Sequence, residues 1–366
     1  MLVLVVNAGS SSLKLRLLDH RDQVVRSADL PARDAYVSDR DLTRTVRDWP
    51  APEATGHRIV HGGTRFTGPV LVDRAVEKAL RELTDLAPLH QPKSLAAYDA
   101  VRGLLPDVAA VACFDTAFHA SLPAAAATYA VPREWQQRYG VRRYGFHGLS
   151  HAYCSRRAAE LLGRQPAGLR LVTCHLGAGA SLAAVVNGRS VDTTMGFTPL
   201  EGLVMATRSG TVDPGLVLWL EQHEDLSPSA VADALEHRSG LLALAGTADM
   251  REVQARAAAG DKAATVAFDV FIHRLVTGIG AMTAAAGGLD ALVFTGGIGE
   301  HSPAVRAAAA GRLDHLGVRV DAWRNDDVAG DADISRAQAR ARTLVVAARE
   351  DLQIARETRG VLAARP

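Results

Sequence analysis

One short segment near the start of the sequence combines several groups that can bind small anions or a metal ion. Residues 7–14, NAGSSSLK, gather a carboxamide, three hydroxyls and an ammonium around one tight turn. These groups could hold the oxygens of a phosphate or the water shell of a cation. The Walker A spacing GxxxxGK[ST] does not occur in the chain, and a turn that faces solvent would have the same composition. The segment is therefore a candidate phosphate or metal site, with a plain surface turn as the alternative.

Two arginines lie in segments from which a guanidinium could reach an anion. Arg58 belongs to GHRIVHGG (56–63), where a short apolar run and a glycine pair follow it. Arg208 belongs to ATRSGTVDPG (206–215), which is too rich in Gly, Ser and Pro for regular structure. Long irregular segments are often functional, and the guanidinium fork suits carboxylates and phosphates. Both arginines are therefore candidates, although most arginines are simply solvated.

Two carboxylates follow aliphatic runs that are typical of strands. Asp115, in FDTAFH, comes after residues 108–112, and Glu350 comes after residues 343–348. Open α/β sheets present their ligand-facing side chains at the carboxyl ends of strands, so both carboxylates are expected there. A turn or helix cap is the alternative for Asp115, and a helix-start position favoured by the dipole is the alternative for Glu350.

Two histidines and a third loop add to this set. His147 lies in YGFHGLSH (144–151) and His175 in TCHLGAG (173–179), each beside glycine. A structural role is the alternative for either histidine. The segment TGGIGE (295–300) places three glycines between a strand and a helix, where backbone N–H groups meet phosphates in many proteins.

The elements that carry these residues follow a repeated pattern. Residues 2–6 are continuously aliphatic, which predicts a strand buried on both faces, and residues 13–17 alternate as a half-buried strand does. Residues 171–186 repeat the order of strand, Gly-rich turn and strand about half a chain later. The recurrence predicts an internal duplication with one hairpin in each of two domains.

Helical periodicity occurs between these landmarks. A further helix should start near Pro303 with Ser302 as its cap. Residues 19–56 are charged with weak periodicity, so we expect short irregular elements there, and we expect the polar tract 311–342 to be peripheral. The predicted helices are 76–86, 94–104, 151–162, 263–286 and 351–364.

The composition fits an α/β enzyme. The 366 residues are 48% hydrophobic and carry 41 Lys and Arg against 40 Asp and Glu, a formal net charge of +1, which argues against a nucleic-acid partner. At about 150 residues per domain, the length favours two domains. Cys113, Cys154 and Cys174 are too widely spaced to suggest a disulfide framework or a structural metal. We find no signal-peptide pattern and no apolar run near about 18 residues, so we expect no membrane partner and a cytoplasmic location.

Taken together and in this order, the motifs NAGSSSLK, HRIVHGG, LAPLHQP, FDTAFH, YGFHGLSH, TCHLGAGAS, GFTPLEGL, FTGGIGE and DLQIARET resemble the acetate kinase family. The resemblance covers the chain apart from residues 19–56 and 319–342. It implies an α/β fold of two ribonuclease-H-like, actin-like ATPase domains that arose by internal duplication, with a nucleotide cleft between them. The implied domains are 1–119 with a returning 353–366, and 120–352. It also implies a homodimer formed through the second domain.

The resemblance implies a role for each candidate. Arg58 and Arg208 would clamp the acyl carboxylate and the transferring phosphoryl group, His147 and His175 would contact phosphoryl oxygens, and Asp115 would lie near the nucleophile as a fifth catalytic residue. Asn7 and Glu350 would organise Mg²⁺, with Mn²⁺ as an alternative. The implied acyl pocket consists of Val60, Leu89, Phe146 and Pro199. The implied ATP and ADP contacts are Ser10, Ser12, Lys14, His175, Leu176, Gly177, Ala178, Gly179, Asp249, Met250, Arg251, Gly296, Gly297, Ile298, Gly299 and His301.

The implied reaction is the reversible, Mg²⁺-dependent transfer of a phosphoryl group from ATP to acetate, giving acetyl phosphate and ADP. Acetate, like a Glu side chain with a pKa of about 4.3, is ionised at neutral pH, so no general base is needed. The difficulty is the approach of two anions, which the cationic groups, Lys14 among them, would offset. We therefore expect direct in-line transfer and assign Asp115 an orienting role.

Two alternatives differ in substrate or in class. A propionate or other short-chain acyl kinase would need a wider pocket, and the branched Val60 favours acetate. An ATP-driven switch of the actin or heat-shock type would have no use for Arg58, Arg208 and His147 beside an apolar pocket.

The sequence departs from the family pattern at three nucleotide positions. Ala178 stands where the family usually has Asn, Met250 where it has Phe, and His301 where it has Asn. The first change removes a side-chain donor toward the phosphates, and the other two bear on base selectivity.

Overall fold

The structure is a computed structural model that describes residues 1–9, 12–31, 38–87 and 90–364, without the side chain of Asp39. The strands of these ranges form two mixed sheets. The first contains β1 (Val3–Ala8), β2 (Ser12–Leu18), β3 (Val24–Pro31), β4 (Ala54–Ile59), β5 (Val70–Leu71) and β6 (Ala109–Phe114). The second contains β7 (Arg170–Leu176), β8 (Ala180–Val186), β9 (Arg189–Thr193), β10 (Ala291–Thr295), β11 (Ala332–Asp333) and β12 (Arg342–Val345).

The two sheets have the same topology. The first runs in the order β3-β2-β1-β4-β6-β5 and the second, from its opposite edge, in the order β9-β8-β7-β10-β12-β11. In each sheet the first three strands are antiparallel, the next two join in parallel, and the last edge strand is antiparallel. Both predicted hairpins are present, as β1 with β2 and β7 with β8.

The helices cover the faces of these sheets. The described chain also contains short 3₁₀ helices at Leu83–Leu86, Ala117–Ser121 and Asp314–Leu316. The first seven α-helices are α1 (Asp39–Val46), α2 (Arg74–Glu82), α3 (Gln91–Leu104), α4 (Ala124–Ala127), α5 (Arg133–Tyr139), α6 (Gly148–Leu161) and α7 (Pro214–His223). The others are α8 (Pro228–His237), α9 (Gly240–Ala245), α10 (Met250–Ala258), α11 (Lys262–Ala285), α12 (Gly296–His301), α13 (Pro303–Gly311), α14 (Ala322–Asp326) and α15 (Glu350–Ala363).

The sequence pattern of the first hairpin explains its burial. Val3 and Val5 of β1 pack in the cluster that includes Ile354 of α15, whereas Leu4 and Val6 pack in the cluster on the opposite face. Alternate leucines of β2 are buried between polar residues, as predicted. Helix α15 approaches β4 closely because Gly56 has no side chain: a Cβ there would lie 2.3 Å from Thr358 Oγ1.

The chain divides by its contacts into two compact units. Unit 1 consists of Met1–Ala120, His147–Tyr153 and Arg349–Pro366, and unit 2 of Ser121–Phe146 and Cys154–Ala348. Each unit contains one of the two sheets. The domain division proposed from the sequence, 1–119 with 353–366 and 120–352, stays a prediction.

Two expectations about irregular segments are wrong in part. Residues 19–56 contain the regular elements β3 and α1; β3 was missed because it is an edge strand whose exposure does not alternate clearly. The tract 311–342 is not wholly peripheral, because its Val318 and Ile334 side chains are buried. Polar neighbours in the sequence conceal these two core positions.

Helix α11 is long and apolar on average. Among the described residues it is the one helix long and apolar enough to cross a membrane, judged by length and composition alone. Alanine and glycine make it apolar on average, but Lys262, Asp269 and Arg274 interrupt it, so the helix contains no continuous apolar run of about 18 residues. Its Phe271 side chain is buried and the helix packs against β7 and β8, as the core helix of a globular domain does.

Candidate active site

An ion pair lies at the carboxyl end of the first sheet. Arg58 is the penultimate residue of β4, and Asp115 follows β6, the neighbouring parallel strand. The Arg58 Nε and Nη2 atoms donate to Asp115 Oδ2 at 3.0 and 2.5 Å, and Nη1 donates to the carbonyl oxygen of Ala8 at 2.8 Å. The Asp115 carboxylate is 1% exposed and the Arg58 side chain 15% exposed. The pair is therefore rigidly held at the strand ends, as the sequence predicts for Asp115.

The electrostatics of this pair keep Arg58 charged. Burial alone would lower the pKa of Arg58, but its attraction to the Asp115 and Glu350 carboxylates, with the Asp115 hydrogen bond, raises it. The second carboxylate oxygen, Asp115 Oδ1, is buried and has no hydrogen-bond partner among the described residues. A cation and an uncommitted acceptor thus lie at one strand edge.

The loop before α6 is fixed against Asp115. The Gly148 N–H donates to the Asp115 carbonyl oxygen at 2.8 Å, and a Cβ on Gly148 would lie only 2.2 Å from that oxygen. His147 adopts a left-handed backbone with φ 56°, which is uncommon for a residue with a side chain. The His151 N–H donates to its carbonyl oxygen. This backbone holds His147 beside the residue that bonds Arg58.

Asn7 and Glu350 meet although they are far apart in the sequence. Asn7 Nδ2 donates to Glu350 Oε2 at 2.8 Å, and Glu350 is the first residue of α15. Asn7 also pairs with Lys14 across the β1–β2 hairpin. The contact presents amide and carboxylate oxygens, and Mg²⁺ prefers such hard donors with water and phosphate completing its shell. The residues present therefore fit a magnesium ion whose other ligands are water or phosphate oxygens. Among the described residues no group of three or more His, Cys, Asp or Glu forms a self-sufficient metal site.

In unit 2 the second sheet ends in glycine turns. His175 is near the end of β7 and pairs with Ser181 across the hairpin, where the Gly177 N–H donates to the Gly179 carbonyl oxygen. Ala178, at the tip of this turn, is exposed, and its carbonyl oxygen accepts from the Ala206 N–H. The predicted phosphate hairpin is thus joined to the segment that carries Arg208.

Strand β10 leads directly into α12 through Gly296. Its φ is 78°, and a Cβ there would lie 2.8 Å from the carbonyl oxygen of Leu176 in β7. The Gly296 N–H donates to Glu300 Oε1, which also accepts from the Ala348 N–H. Helix α13 follows, and its cap Ser302 accepts from Val305 N as predicted. The glycine segment expected to be a turn is thus the first turn of a helix.

Two residues that the sequence does not single out hold this turn: half-buried Glu300 and fully buried Arg306. Besides Glu300, fully buried Arg306 donates from Nη1 to the Gly299 and Glu300 carbonyl oxygens at 2.9 and 2.8 Å. Its Nε and Nη2 bind Asn325 Oδ1 and O at 2.8 and 2.6 Å. The only sequence signal was indirect, a lone arginine within an alanine-rich helix.

Arg208 has a carboxylate partner that the sequence did not predict. Its Nε lies 2.6 Å from Glu236 Oε1 at the end of α8, and its Nη1 donates weakly to the Pro199 carbonyl oxygen at 3.5 Å. The start of α9 lies close to the backbone of Arg208 because Gly240 has no side chain: a Cβ there would lie 2.7 Å from the Arg208 carbonyl oxygen. Arg208, like Arg58, is therefore held by a carboxylate inside its own unit.

The remaining predicted residues have varied surroundings. Ser12 begins β2, and Val60, Phe146 and Pro199 are buried. At α10, Met250 is buried, whereas Asp249 caps the helix and pairs with exposed Arg251, whose hydrogen bonds lower the Asp249 pKa to about 2. Gly297, Ile298 and His301 belong to α12, with Gly297 and His301 exposed. Ser10 and Leu89 lie outside the described residues.

The chain matches the model of the acetokinase family over residues 40–356. It is 48% identical to an acetate kinase of Nostoc punctiforme over 87% of this chain and 78% of that protein, and 41% identical to one of Carboxydothermus hydrogenoformans over 98% of both.

Solved structures give the same result. The acetate kinase of Porphyromonas gingivalis superimposes with a TM-score of 0.90 at 34% identity, covering 99% of each chain. A propionate kinase of Francisella tularensis also superimposes with a TM-score of 0.90 at 34% identity, covering 98% of this chain and 99% of that one. The predicted fold class, two duplicated α/β units of the actin-like ATPase type, is confirmed. The chain belongs to the acetokinase family.

Proposed function

We propose that this protein is an acetate kinase, a phosphotransferase that transfers the γ-phosphoryl group of ATP to acetate and forms acetyl phosphate and ADP reversibly. The observation that carries the proposal is the Arg58–Asp115 pair at the carboxyl end of the first sheet, in a chain of the acetokinase family. This pair offers a fixed cation to a small carboxylate.

Arg58 has the capacity to bind that carboxylate. A guanidinium has five N–H donors, and the described residues accept three of them, two at Asp115 and one at Ala8. Donors therefore remain for the acyl group. Acetate is already an anion, so Asp115 is not needed as a general base. Its role is instead to fix the plane of the Arg58 guanidinium.

Transfer then proceeds in line. An acetate oxygen forms a bond with the γ-phosphorus while the bond from that phosphorus to the bridging β-oxygen breaks, and the electron pair leaves with ADP. We propose that Arg208, His147 and His175 donate to the phosphoryl oxygens as negative charge spreads over them, which is electrostatic stabilisation by preorganised groups. The Glu236 carboxylate holds Arg208 as Asp115 holds Arg58.

We propose that Asn7 and Glu350 hold Mg²⁺ through their oxygens. The ion would neutralise charge on the β- and γ-phosphates. The nucleotide phosphates would lie at the backbone of the Gly177–Gly179 hairpin and of the start of α12 after Gly296, whose own N–H is bound by Glu300. Lys14 would add a positive charge near the first hairpin.

The second candidate substrate is propionate. The similarity to a propionate kinase structure equals that to an acetate kinase structure, so the fold does not separate the two. Val60 is 6% exposed and branched, which favours the shorter acyl chain. One methylene is worth about 1 to 3 kcal/mol, so propionate should still react slowly.

We also propose a cytoplasmic homodimer. Family resemblance supports the assembly, and helix α7 leaves Leu216, Leu218 and Trp219 about half exposed in unit 2. Light scattering after size exclusion gives the mass, and a monomer at micromolar concentration would contradict this proposal.

The test of function is acetate-dependent formation of ADP, with acetyl phosphate trapped as its hydroxamate. We expect acetyl phosphate to form with acetate, Mg²⁺ and ATP, to form more slowly with propionate, and to disappear with a chelator. ATP hydrolysis at the same rate with and without acetate would contradict the proposal, and a higher kcat/KM for propionate would favour the second candidate.

A further inference from the structure

A side-chain network in unit 2 joins two segments that carry residues of the proposed acyl pocket. Glu201 Oε1 accepts from Arg143 Nη2 at 2.7 Å, and Glu201 Oε2 accepts from the Tyr129 hydroxyl. The same hydroxyl accepts from the Phe197 N–H at 3.0 Å. One carboxylate thus binds two side chains and, through Tyr129, the backbone of the segment 196–201 that contains Pro199.

The network extends to the segment that contains Phe146. Arg143 Nη1 donates to the carbonyl oxygens of Thr194 and Met195, at 3.1 Å each. The N–H groups of Tyr144 and Gly145 both donate to the Gly196 carbonyl oxygen, at 3.0 and 3.2 Å. The residues that immediately precede Phe146 are therefore hydrogen-bonded to the segment that leads to Pro199.

Glycine at position 196 is required for this arrangement. A Cβ there would lie 1.8 Å from Glu201 Oε2 and 2.1 Å from the Tyr129 hydroxyl oxygen. The carboxylate and the hydroxyl therefore lie directly on the backbone of Gly196. Any side chain at this position would displace the two groups that fix the segment.

Stability alone does not explain this network. Partly buried ion pairs contribute little net stability, because the cost of desolvation offsets their attraction, and their best attested use is to fix a geometry. The Arg143 and Glu201 side chains are 17% and 33% exposed, and the Arg143 guanidinium also lies 5.4 Å from the centre of the Tyr129 ring. None of the three residues takes part in the chemistry proposed above.

We propose that Glu201 is a positioning residue that, through Tyr129 and Arg143, fixes Phe146 and Pro199 and thereby sets the selectivity of the enzyme for acyl chain length. The inference rests on the proposed function, with Phe146 and Pro199 in the acyl pocket as the family resemblance implies. A rigid pocket excludes an additional methylene by about 10- to 200-fold. A segment released from Glu201 can yield, so the penalty for propionate falls.

The test compares Glu201→Gln and Tyr129→Phe with the wild type, using kcat/KM for acetate and for propionate and KM for ATP. Glu201→Gln removes the charge and keeps the size, and Tyr129→Phe removes one hydroxyl. The matched control is Asp290→Asn, because Asp290 is a carboxylate of unit 2 that also binds an arginine, Arg170, and lies just before the amino-terminal end of β10.

We expect the ratio of propionate to acetate kcat/KM to rise about three- to tenfold in both variants, with KM for ATP within about twofold and the Asp290→Asn ratio unchanged. An unchanged ratio in folded Tyr129→Phe overturns the proposal, even if Glu201→Gln fails to fold. An equal rise in Asp290→Asn would also overturn it, since the effect would then be general loosening. If the wild type forms no acyl phosphate, it is the proposed function that fails.

Discussion

The two units share one strand order but equip it with different chemistry. In unit 1 the strand ends carry ionisable side chains: Arg58 after β4, Asp115 after β6 and Asn7 in β1, with Glu350 bound to Asn7. In unit 2 the corresponding strand ends run into glycine segments, the Gly177–Gly179 hairpin after β7 and the Gly296 turn after β10, with His175 as the ionisable side chain near the end of β7. The proposed reaction uses both kinds of group: ionisable side chains for the acetate carboxylate and the metal ion, and glycine segments for the polyphosphate.

The difference also appears in how each unit holds its site. Unit 1 fixes Arg58 with a carboxylate and a backbone carbonyl, so charge does the positioning. Unit 2 fixes the Gly296 turn with Glu300 and buried Arg306, which bind backbone groups behind it. Substitutions at the strand ends of unit 1 should therefore affect the binding of acetate, and substitutions in the Gly296 turn should affect the binding of ATP.

The largest expected effect comes from removing the unit 1 cation. Arg58→Ala should lower kcat/KM for acetate about 10³-fold or more, because it removes the cation that orients the acetate carboxylate and offsets its charge against the γ-phosphate; an arginine in a phosphoryl-transfer site is worth about 10³ to 10⁵ in rate. Arg81→Ala is the matched control. Arg81 lies on the exposed face of α2, where it pairs with Glu77 of the same helix and with Asp99 of α3. If Arg58→Ala stays folded and within about tenfold of Arg81→Ala, unit 1 does not supply the essential charge.

A glycine substitution tests the backbone site of unit 2. Gly296→Ala should raise KM for ATP about tenfold with KM for acetate little changed, because it strains a φ of 78° and brings a Cβ to 2.8 Å from Leu176 O. Gly330→Ala controls for the backbone strain alone, since Gly330 has a φ of 76° with nothing within 4 Å of its Cβ. Equal KM values for ATP in the two variants would show that the close approach of Gly296 to the Leu176 carbonyl oxygen does not matter for ATP binding.

Acid should affect the two units differently. The four buried histidines of the described chain, His57, His61, His119 and His151, all belong to unit 1. Burial lowers the pKa of His57 to about 3, so its stabilising effect is complete above an unfolded pKa of about 6.5 and is lost as the pH falls toward 3.

The free energy of unfolding of the wild type should fall more steeply between pH 6 and pH 4 than that of His57→Gln, by about 1.4 kcal/mol per pH unit. Denaturant titrations at each pH measure it. Parallel pH profiles for the two proteins would show that His57 is not held neutral.

The smallest expected effect concerns the exposed tip of the β7–β8 turn. Ala178→Asn should lower KM for ATP about two- to threefold, because the amide adds one donor at the proposed phosphate site. Ala178→Val adds bulk without a donor and serves as the control. A lower KM in both variants would point to a steric cause.

The sequence was informative where local pattern decides structure. The aliphatic β1, the alternating β2 and the glycine turns were predicted because they follow short-range rules, and Asp115 was placed at a strand end for the same reason. The family motifs carried Arg58, Arg208 and Asp115, but not Glu236, the carboxylate that holds Arg208.

What the sequence could not predict depends on long-range pairing. Glu236, Glu300 and Arg306 act through partners that only the fold brings near, and no periodicity marks them. The same holds for Glu201, which reaches Tyr129 from 72 residues away in the sequence. Edge strand β3 was missed because neither of its faces is consistently buried.

The central claim is that this protein transfers the phosphoryl group of ATP directly to acetate. The most direct test is the ratio of acetyl phosphate to ADP formed by the wild-type protein with ATP, Mg²⁺ and acetate, followed by ³¹P NMR. The account predicts equal amounts of the two products, and neither product when acetate is left out. ADP that accumulates with inorganic phosphate and without acetyl phosphate would contradict it.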